Sequence, residues 1–385
     1  MLASCKFYII LTTLVFLGLG YIQILDNSEH ISSVSSFLRS WAKNVAHQNN
    51  TDQIEQITEL RRRVNLYHEI SKRDFLEKGM LVHRSLSGKA VDECDSLLFS
   101  NLNFIALEKL GFQEDAEAAW KSIEQSQKNG QWVRHPNCAN HSTSRDMIIG
   151  ILLALSQKPE NHQEHFKQLL QQIDAGGGFF HKGPIYVSYI SPNLAEAIRL
   201  MARLENWPHH QLPSSIRSGF STSELQVSTT QAGYRTHLLA LLVWLEFELR
   251  DKYKDLNLRP RSSSKELAAL TGPFTVNDLD SQRLEYLTQS LMSSDPRNLF
   301  FKYLRIKAAD ALTVDARIAL IRELNDMRQF PKDRLPRDCD RKADYLWQRD
   351  SQTYNRVKAK TCNVIYNGTD FLWMAGLLLE GLSLE

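Results

Sequence analysis

The stretch that most restricts what this chain can fold into is Thr143-Ser144-Arg145-Asp146-Met147-Ile148-Ile149-Gly150-Ile151-Leu152-Leu153-Ala154-Leu155. A polar tetrad opens it and a run apolar on every face follows, which predicts a helix buried all round with charged groups at its N-terminal end. The same design recurs along the chain. Leu97 to Leu110 follows Asp92-Glu93-Cys94-Asp95, Leu194 to Leu204 follows Ser191-Pro192-Asn193, Leu238 to Leu249 follows Gly233-Tyr234-Arg235-Thr236-His237, and Phe371 to Leu382 follows Asn367-Gly368-Thr369-Asp370. Asn298 to Ala311 is a sixth, less apolar member. Between these runs lie helices with a single apolar stripe: Ala116, Ala119, Trp120 and Ile123; Phe166, Leu169, Leu170 and Ile173; Leu284, Leu287 and Leu291; Val314, Ile318, Ile321 and Leu324.

Buried helices alternating with striped ones predict an all-α fold of helical hairpins. An open array of hairpins would leave one face of each helix in water, and several of these helices have no polar face. Closure is therefore expected, with about six inner helices ringed by outer ones and the polar starts of the inner helices at one mouth. The last helix should seal the ring against the first. The partner of Leu238–Leu249 is not legible across the loop-like stretches 208–230 and 257–264, and residues 329–367 are irregular.

The expected domains are an N-terminal anchor over 1–25, a stalk and amphipathic helix over 26–78, and the helical body over 79–385. Phe7 to Leu25 approaches the ~20 apolar residues that cross a bilayer, with Lys6 before it and Asp26 and Glu29 after. That order puts the body on the extracytoplasmic side of the membrane as a single-pass protein. A cleaved signal peptide is the rival reading, since Gly18-Leu19-Gly20 is a small-x-small site. Residues 26–51, polar and rich in Ser and Asn, are expected to form the stalk. Ile54, Ile57, Leu60 and Val64 then mark an amphipathic helix to about Phe75, with Arg61-Arg62-Arg63 on its solvated face.

In an exported body, Cys94, Cys138, Cys339 and Cys362 form an even set that can hold disulfides. Cys94, Cys138 and Cys362 each precede an inner helix, which suggests Cys94 with Cys138 and Cys339 with Cys362. The spacings match no zinc site; His162 and His165 lack an evident third ligand, so neither metal nor cofactor is expected. Lys plus Arg total 46 against 44 Asp plus Glu, and with no basic stripe or recognised module nucleic acid is not an expected partner. Gly176-Gly177-Gly178 is not a phosphate loop, because no strand precedes it and no G-K-[ST] follows.

In this arrangement of hairpins, covering roughly residues 80–385, the chain resembles the six-hairpin glycosidase-like (α/α)6 toroids. Ser144-Arg145-Asp146-Met147 and Tyr345-Leu346-Trp347-Gln348-Arg349-Asp350 are also similar to segments of bacterial envelope proteins of unassigned activity. The toroid resemblance implies hydrolases or lyases that act on polysaccharides, with substrate lying at the mouth of the ring. It therefore points to a glycan-active enzyme whose partner is a polysaccharide or envelope glycan.

Glycoside hydrolysis needs two carboxyls about 5 to 9.5 Å apart, one protonated and one ionised. Asp146 and Asp370 are the candidates for catalysis, with Asp95 as a third carboxyl at an inner-helix start. The competing reading is that acids at such positions only cap helices and oppose the helix dipole. For substrate binding the candidates are Trp132, Arg134 and His135 in the loop before the central helix, and Arg145 beside Asp146. Tyr186 and Tyr189 lie in the loop after Gly178, and Trp347 and Arg349 in the segment between Cys339 and Cys362. Aromatic walls with a few convergent polar groups suit a sugar site, although a loop tryptophan also commonly plugs a core edge. Tyr186 or Tyr189 with His181 would instead suit a uronate lyase. A non-catalytic glycan-binding or assembly protein on the same scaffold is the remaining alternative. Asn49-Asn50-Thr51, Asn140-His141-Ser142 and Asn367-Gly368-Thr369 match the glycosylation sequon.

Overall fold

A computed structural model describes residues 28–91, 94, 96–138, 143–157, 162–177, 179–182, 187–217, 234–255, 278–340 and 362–382. Twelve α-helices among them, joined by strands of two to four residues, make the fold all-α. By compactness the chain divides into Met1–Glu55 and Gln56–Glu385, and the packed helical body is the second of these units. No helix among the described residues is long and apolar enough to cross a membrane; the apolar run 7–25 lies outside them.

The first helix, α1, runs from Ser28 to Asp74. The stretch from 28 to 51 expected as a stalk is thus helical and continuous with the amphipathic segment after it. Ile57, Leu60, Val64 and Tyr67 are buried on the body. Of the three arginines expected on a solvated face, Arg61 and Arg62 keep that role, but Arg63 is 0% exposed. Its guanidinium donates to the carbonyls of Leu324 (3.3 Å), Asn325 (3.1 Å) and Phe330 and lies 4.6 Å from the centre of the Phe371 ring. A planar fork of donors suits the leftover carbonyls at a helix end, which explains why this arginine goes inward.

The expected inner helices form where the apolar runs stand: α2 (Ser96–Leu110), α4 (Arg145–Gln157), α6 (Pro192–Leu204), α8 (Tyr234–Asp255), α10 (Leu299–Ala308) and α12 (Thr369–Leu379). All eleven residues of α12 are buried, as are Ser96 to Leu107 of α2 and Met147 to Ser156 of α4. Two begin on a cap that is plain in the sequence. Ser191 accepts from the N–H of Leu194 (3.3 Å), and Asn298 from those of Phe300 (3.1 Å) and Phe301 (3.3 Å). The striped helices are α3 (Gln113–Glu124), α5 (His162–Ala175), α9 (Asp278–Ser294) and α11 (Val314–Asp326); α5 buries its whole stripe, α3 buries Ala116, Trp120 and Ile123, and α11 buries Ile318, Ile321 and Leu324 but leaves Val314 exposed. Within the stretch 208–230, where the partner of α8 is not legible, the described residues include a one-turn helix, α7 (Ser214–Arg217). The stretch 257–264 lies outside the described residues.

Packing follows a circuit. Helix α12 packs on α2, α2 on α4, α4 on α6 and α8, and α8 on α9 and α10. Trp373 of α12 meets Trp244 of α8 (5.3 Å between ring centres) and Phe300 of α10 (4.4 Å), so the circuit returns to its start. This arrangement is compatible with a helical ring, and the last inner helix does lie against the first. A three-stranded sheet makes the same join: β1 (His83–Ser85) pairs with β2 (Ala90–Val91) on one side and with β3 (Val364–Ile365) on the other.

Two glycines set how closely α2 is approached. A Cβ on Gly150 of α4 would lie 3.1 Å from Leu98 Cδ1 and 3.2 Å from Leu98 Cα, and one on Gly376 of α12 would lie 3.3 Å from Lys109 Cβ. Both neighbours of α2 therefore come in over a bare backbone, with no room for a branched side chain. Gly150→Val should cost about 1–3 kcal/mol through overpacking. A chemical-denaturation midpoint unchanged by this substitution would contradict the close approach.

Candidate functional site

The direction of four inner helices follows from one largely buried carboxylate. Glu248, inside the apolar run of α8, accepts from Trp244 Nε1 (2.8 Å) and Gln157 Nε2 (3.1 Å) and lies 3.6 Å from Lys109 Nζ. Lys109 also bonds Glu380 (2.8 Å). Lys109, Gln157 and Glu380 stand at the C-terminal ends of α2, α4 and α12. These three helices and α8 thus run parallel, and their polar starts lie together at the opposite end. Burial opposes the charge on Glu248; the Lys109 and Lys307 ammonium groups and the Trp244 and Gln157 donors outweigh it and hold the carboxyl below its usual range. Nearby Lys307 pairs with Asp251 (2.8 Å), and burial pushes the Lys252 amine down.

At the opposite end the buried polar side chains accumulate: Ser96, Thr143, Ser144, Asn193, Thr236, His237, Asn298, Asn367, Thr369 and Asp370. The starts of α2 and α4 meet through Leu98 N–H on Met147 Sδ (3.2 Å) and the Cys94–Cys138 disulfide. His83 joins α2 and α12: its ring lies 5.3 Å from Phe99, and its Nδ1 accepts from the Asn367 N–H (3.3 Å). His237 lies 5.3 Å from Phe301 at the starts of α8 and α10, and burial lowers its pKa to about 3.

Asp146 and Asp370 both belong to this end. Asp146 is the second residue of α4, half-buried, and accepts the Ser144 hydroxyl. The Ser144 proton is therefore directed at the Asp146 carboxylate rather than at solvent. Asp370 is 6% exposed in the first turn of α12. The N-cap position there is Gly368, with φ of 75°, and it is the Asn367 side chain that accepts the Thr369 N–H (3.1 Å) and hydroxyl (2.8 Å). The Thr369 N–H is thus capped by Asn367 and not by Asp370. Arg145 is half-buried beside Asp146.

The other candidates divide. Trp132 is 1% exposed, 5.8 Å from the His165 ring, and offers no face to solvent. His135 is 0% exposed and bonds the Glu77 carbonyl (3.2 Å) and the Asn137 N–H (3.0 Å). Both take the packing role weighed against stacking on a sugar. Arg134 is half-buried, and its carbonyl accepts from Ser96 (3.4 Å). Tyr189 ends the strand Val187–Tyr189, whose backbone pairs with Phe179–Lys182; Asp95, Tyr186, Trp347 and Arg349 lie outside the described residues. The two disulfides are Cys94–Cys138 and Cys339–Cys362, with Cα separations of 5.7 and 4.7 Å, the pairing that their positions suggest. His162 and His165 do not share a ligand: one meets Glu205 (2.5 Å), the other Glu124 (2.9 Å). Among the described residues no three His, Cys, Asp or Glu side chains are grouped to hold a metal. Asn367 is buried, so its sequon is closed to modification once the chain is folded.

Sequence reasoning passes over Glu248, Lys109 and His83. A glutamate inside Leu238–Leu249 and a lysine ending an otherwise apolar helix are the available signals, because a charge on a helix without a polar face must find a partner inside. Comparison with protein-family models, with curated proteins and with solved structures returned no match.

His237 and Glu248 contribute to an acid-side stability profile. The His237 contribution is fully present above the unfolded imidazole pKa of about 6.5 and is lost as pH falls toward the folded value. Glu248 likewise contributes above the usual carboxylate range and loses its contribution only below it. Unfolding free energy measured against pH should fall from about pH 6.5 downward. His237→Leu should flatten the upper part of that fall, and an unchanged slope in the variant would contradict the assignment.

Proposed function

We propose that this protein is a membrane-anchored, extracytoplasmic glycan-active enzyme built as a toroid of about six helical hairpins, and specifically a glycoside hydrolase. Residues 7–25 would serve as the anchor. The two disulfides suit an oxidising compartment. The observation that carries the reading is that Asp146 and Asp370 head parallel helices whose far ends are joined through Glu248 and Lys109, so two carboxyls occur at one polar end.

Their surroundings suggest different roles. Asp370, the more buried of the two, is assigned as the acid that protonates the leaving oxygen, because burial disfavours a charged carboxylate. Asp146, hydrogen-bonded by Ser144, is assigned as the ionised partner, acting as base or nucleophile. Arg145 is assigned to the hydroxyl or carboxylate groups of the sugar. The lyase alternative would rest on Tyr186 and Tyr189.

A second reading, a non-catalytic glycan-binding or assembly scaffold, is favoured by the burial of Trp132 and His135, which removes two of the aromatic groups expected to stack on sugar. Asp146→Asn and Asp370→Asn separate the two readings. Incubated with neutral and uronate-containing glycan fragments, each variant should lose at least about a hundredfold in reducing-end release, with melting temperature nearly unchanged. A wild-type chain that releases no reducing ends but retards the same fragments would support the scaffold. Variants that melt early without a specific loss of turnover would return both aspartates to a structural role.

A further inference from the structure

Helix α1 carries two apolar seams. Ile57, Leu60, Val64, Tyr67 and Ser71 are spaced 3, 4, 3 and 4 residues apart, and all five are buried on the body. Ile31, Val34, Leu38, Trp41 and Val45 repeat the same spacing within the same continuous helix. That alternation is the a/d pattern of a helix covered along one side by another helix. Between the two seams stand Gln48-Asn49-Asn50-Thr51-Asp52-Gln53, without one apolar residue. The alternation begun at Ile31 would continue through positions 48, 52, 55 and 59, where Gln48, Asp52, Glu55 and Glu59 stand. The upstream seam is therefore not an extension of the downstream one and calls for a partner of its own.

We infer that residues 31–45 pair with the same residues of a second copy of this chain as a short parallel two-stranded coiled coil. Three features of the sequence select this occupant. Two of the three a positions, Ile31 and Val45, are β-branched, as two-stranded coils favour, with Leu38 the third and Val34 and Trp41 at the d positions. The flanking e and g positions, Ser35, Ala42, Phe37 and Asn44, carry no charge, so copies in register do not repel. The apolar run 7–25 ends three residues before the helix begins, and two copies anchored through it present their helices in the same direction and at raised local concentration. Two heptads alone are marginal in water; tethering to a plane supplies the effective concentration that a short seam lacks. The inference rests on the anchor reading to that extent.

The test uses the full chain with Cys5→Ser, reconstituted in lipid vesicles. Single cysteines are placed on the seam (Val34→Cys, Leu38→Cys, Trp41→Cys) or on the opposite side (Ser36→Cys, Lys43→Cys), and dimers are scored after mild oxidation. Seam positions should cross-link several-fold more than the opposite ones, and Leu38→Asp added to Trp41→Cys should abolish that excess while far-ultraviolet circular dichroism and melting stay unchanged. Equal cross-linking at all five positions, or none, overturns the inference. So does a seam that instead inserts into the membrane surface, seen as quenching of a label at position 38 by lipid-borne quencher without cross-linking. Alkaline extraction of the vesicles tests the anchor separately: release of the chain refutes the anchor, and seam cross-links that persist in the released chain keep the coiled coil.

Discussion

Gln157, Trp244 and Lys109 meet Glu248, Lys109 reaches on to Glu380, and the direction of the helices that carry these residues depends on that meeting. Helices with no polar face gain from being surrounded, but hydrophobic burial has no direction and does not choose which end of a helix faces which way. A charged group does, because a carboxylate taken from water must be met by donors at particular places. Here one glutamate is met from the ends of two other helices, α2 and α4, and Lys109 carries the contact on to Glu380 at the end of α12. That common point aligns the helices, and alignment alone gathers their starts at the opposite end.

Gathering the starts has a cost. Each brings N–H groups without an intrahelical partner, and the serines, threonines and asparagines there answer them locally. Asn298 and Asn367 do this within their own helices, and Ser191 does it for Leu194. Asp146 takes the Ser144 hydroxyl, and Asp370 sits beside a cap in which Asn367 accepts the Thr369 N–H. Carboxyls held in place at a shared polar end are what a reaction on a glycan requires. The disulfide from Cys94 to Cys138 and the sheet that brings His83 to Asn367 hold the same end from outside the helices.

The inner helices are legible because Met147 to Leu155 and Phe371 to Leu379 are apolar at nearly every position, a pattern that only full burial explains. The striped helices are legible for the ordinary reason of spacing at 3 and 4 residues. The cysteine pairing is legible from position, since three of the four precede inner helices. Arg63 is misread from sequence because its neighbours Arg61 and Arg62 are solvated, and nothing local marks the third as the donor for carbonyls some 260 positions later. The helix from 28 to 51 is hidden by its serines and asparagines, which favour turns in isolation but are carried by a helix that continues into a packed segment. Trp132 and His135 show the limit of residue type: aromatic and basic groups in a loop suggest a ligand, and burial assigns these two to packing. Glu248 escapes notice because one glutamate hardly changes the apolar character of Leu238–Leu249.

Whether the ends of α2 and α8 touch inside the protein through Lys109 and Glu248 decides whether the helices share a polar end at all. A double-mutant cycle on unfolding free energy, using Lys109→Met, Glu248→Leu and the pair, reads that contact directly. The expected coupling is about 1–3 kcal/mol, with the double variant more stable than the sum of the single losses implies. Additive losses, with coupling near zero, would mean that the two ends are apart and that the common polar end is not formed.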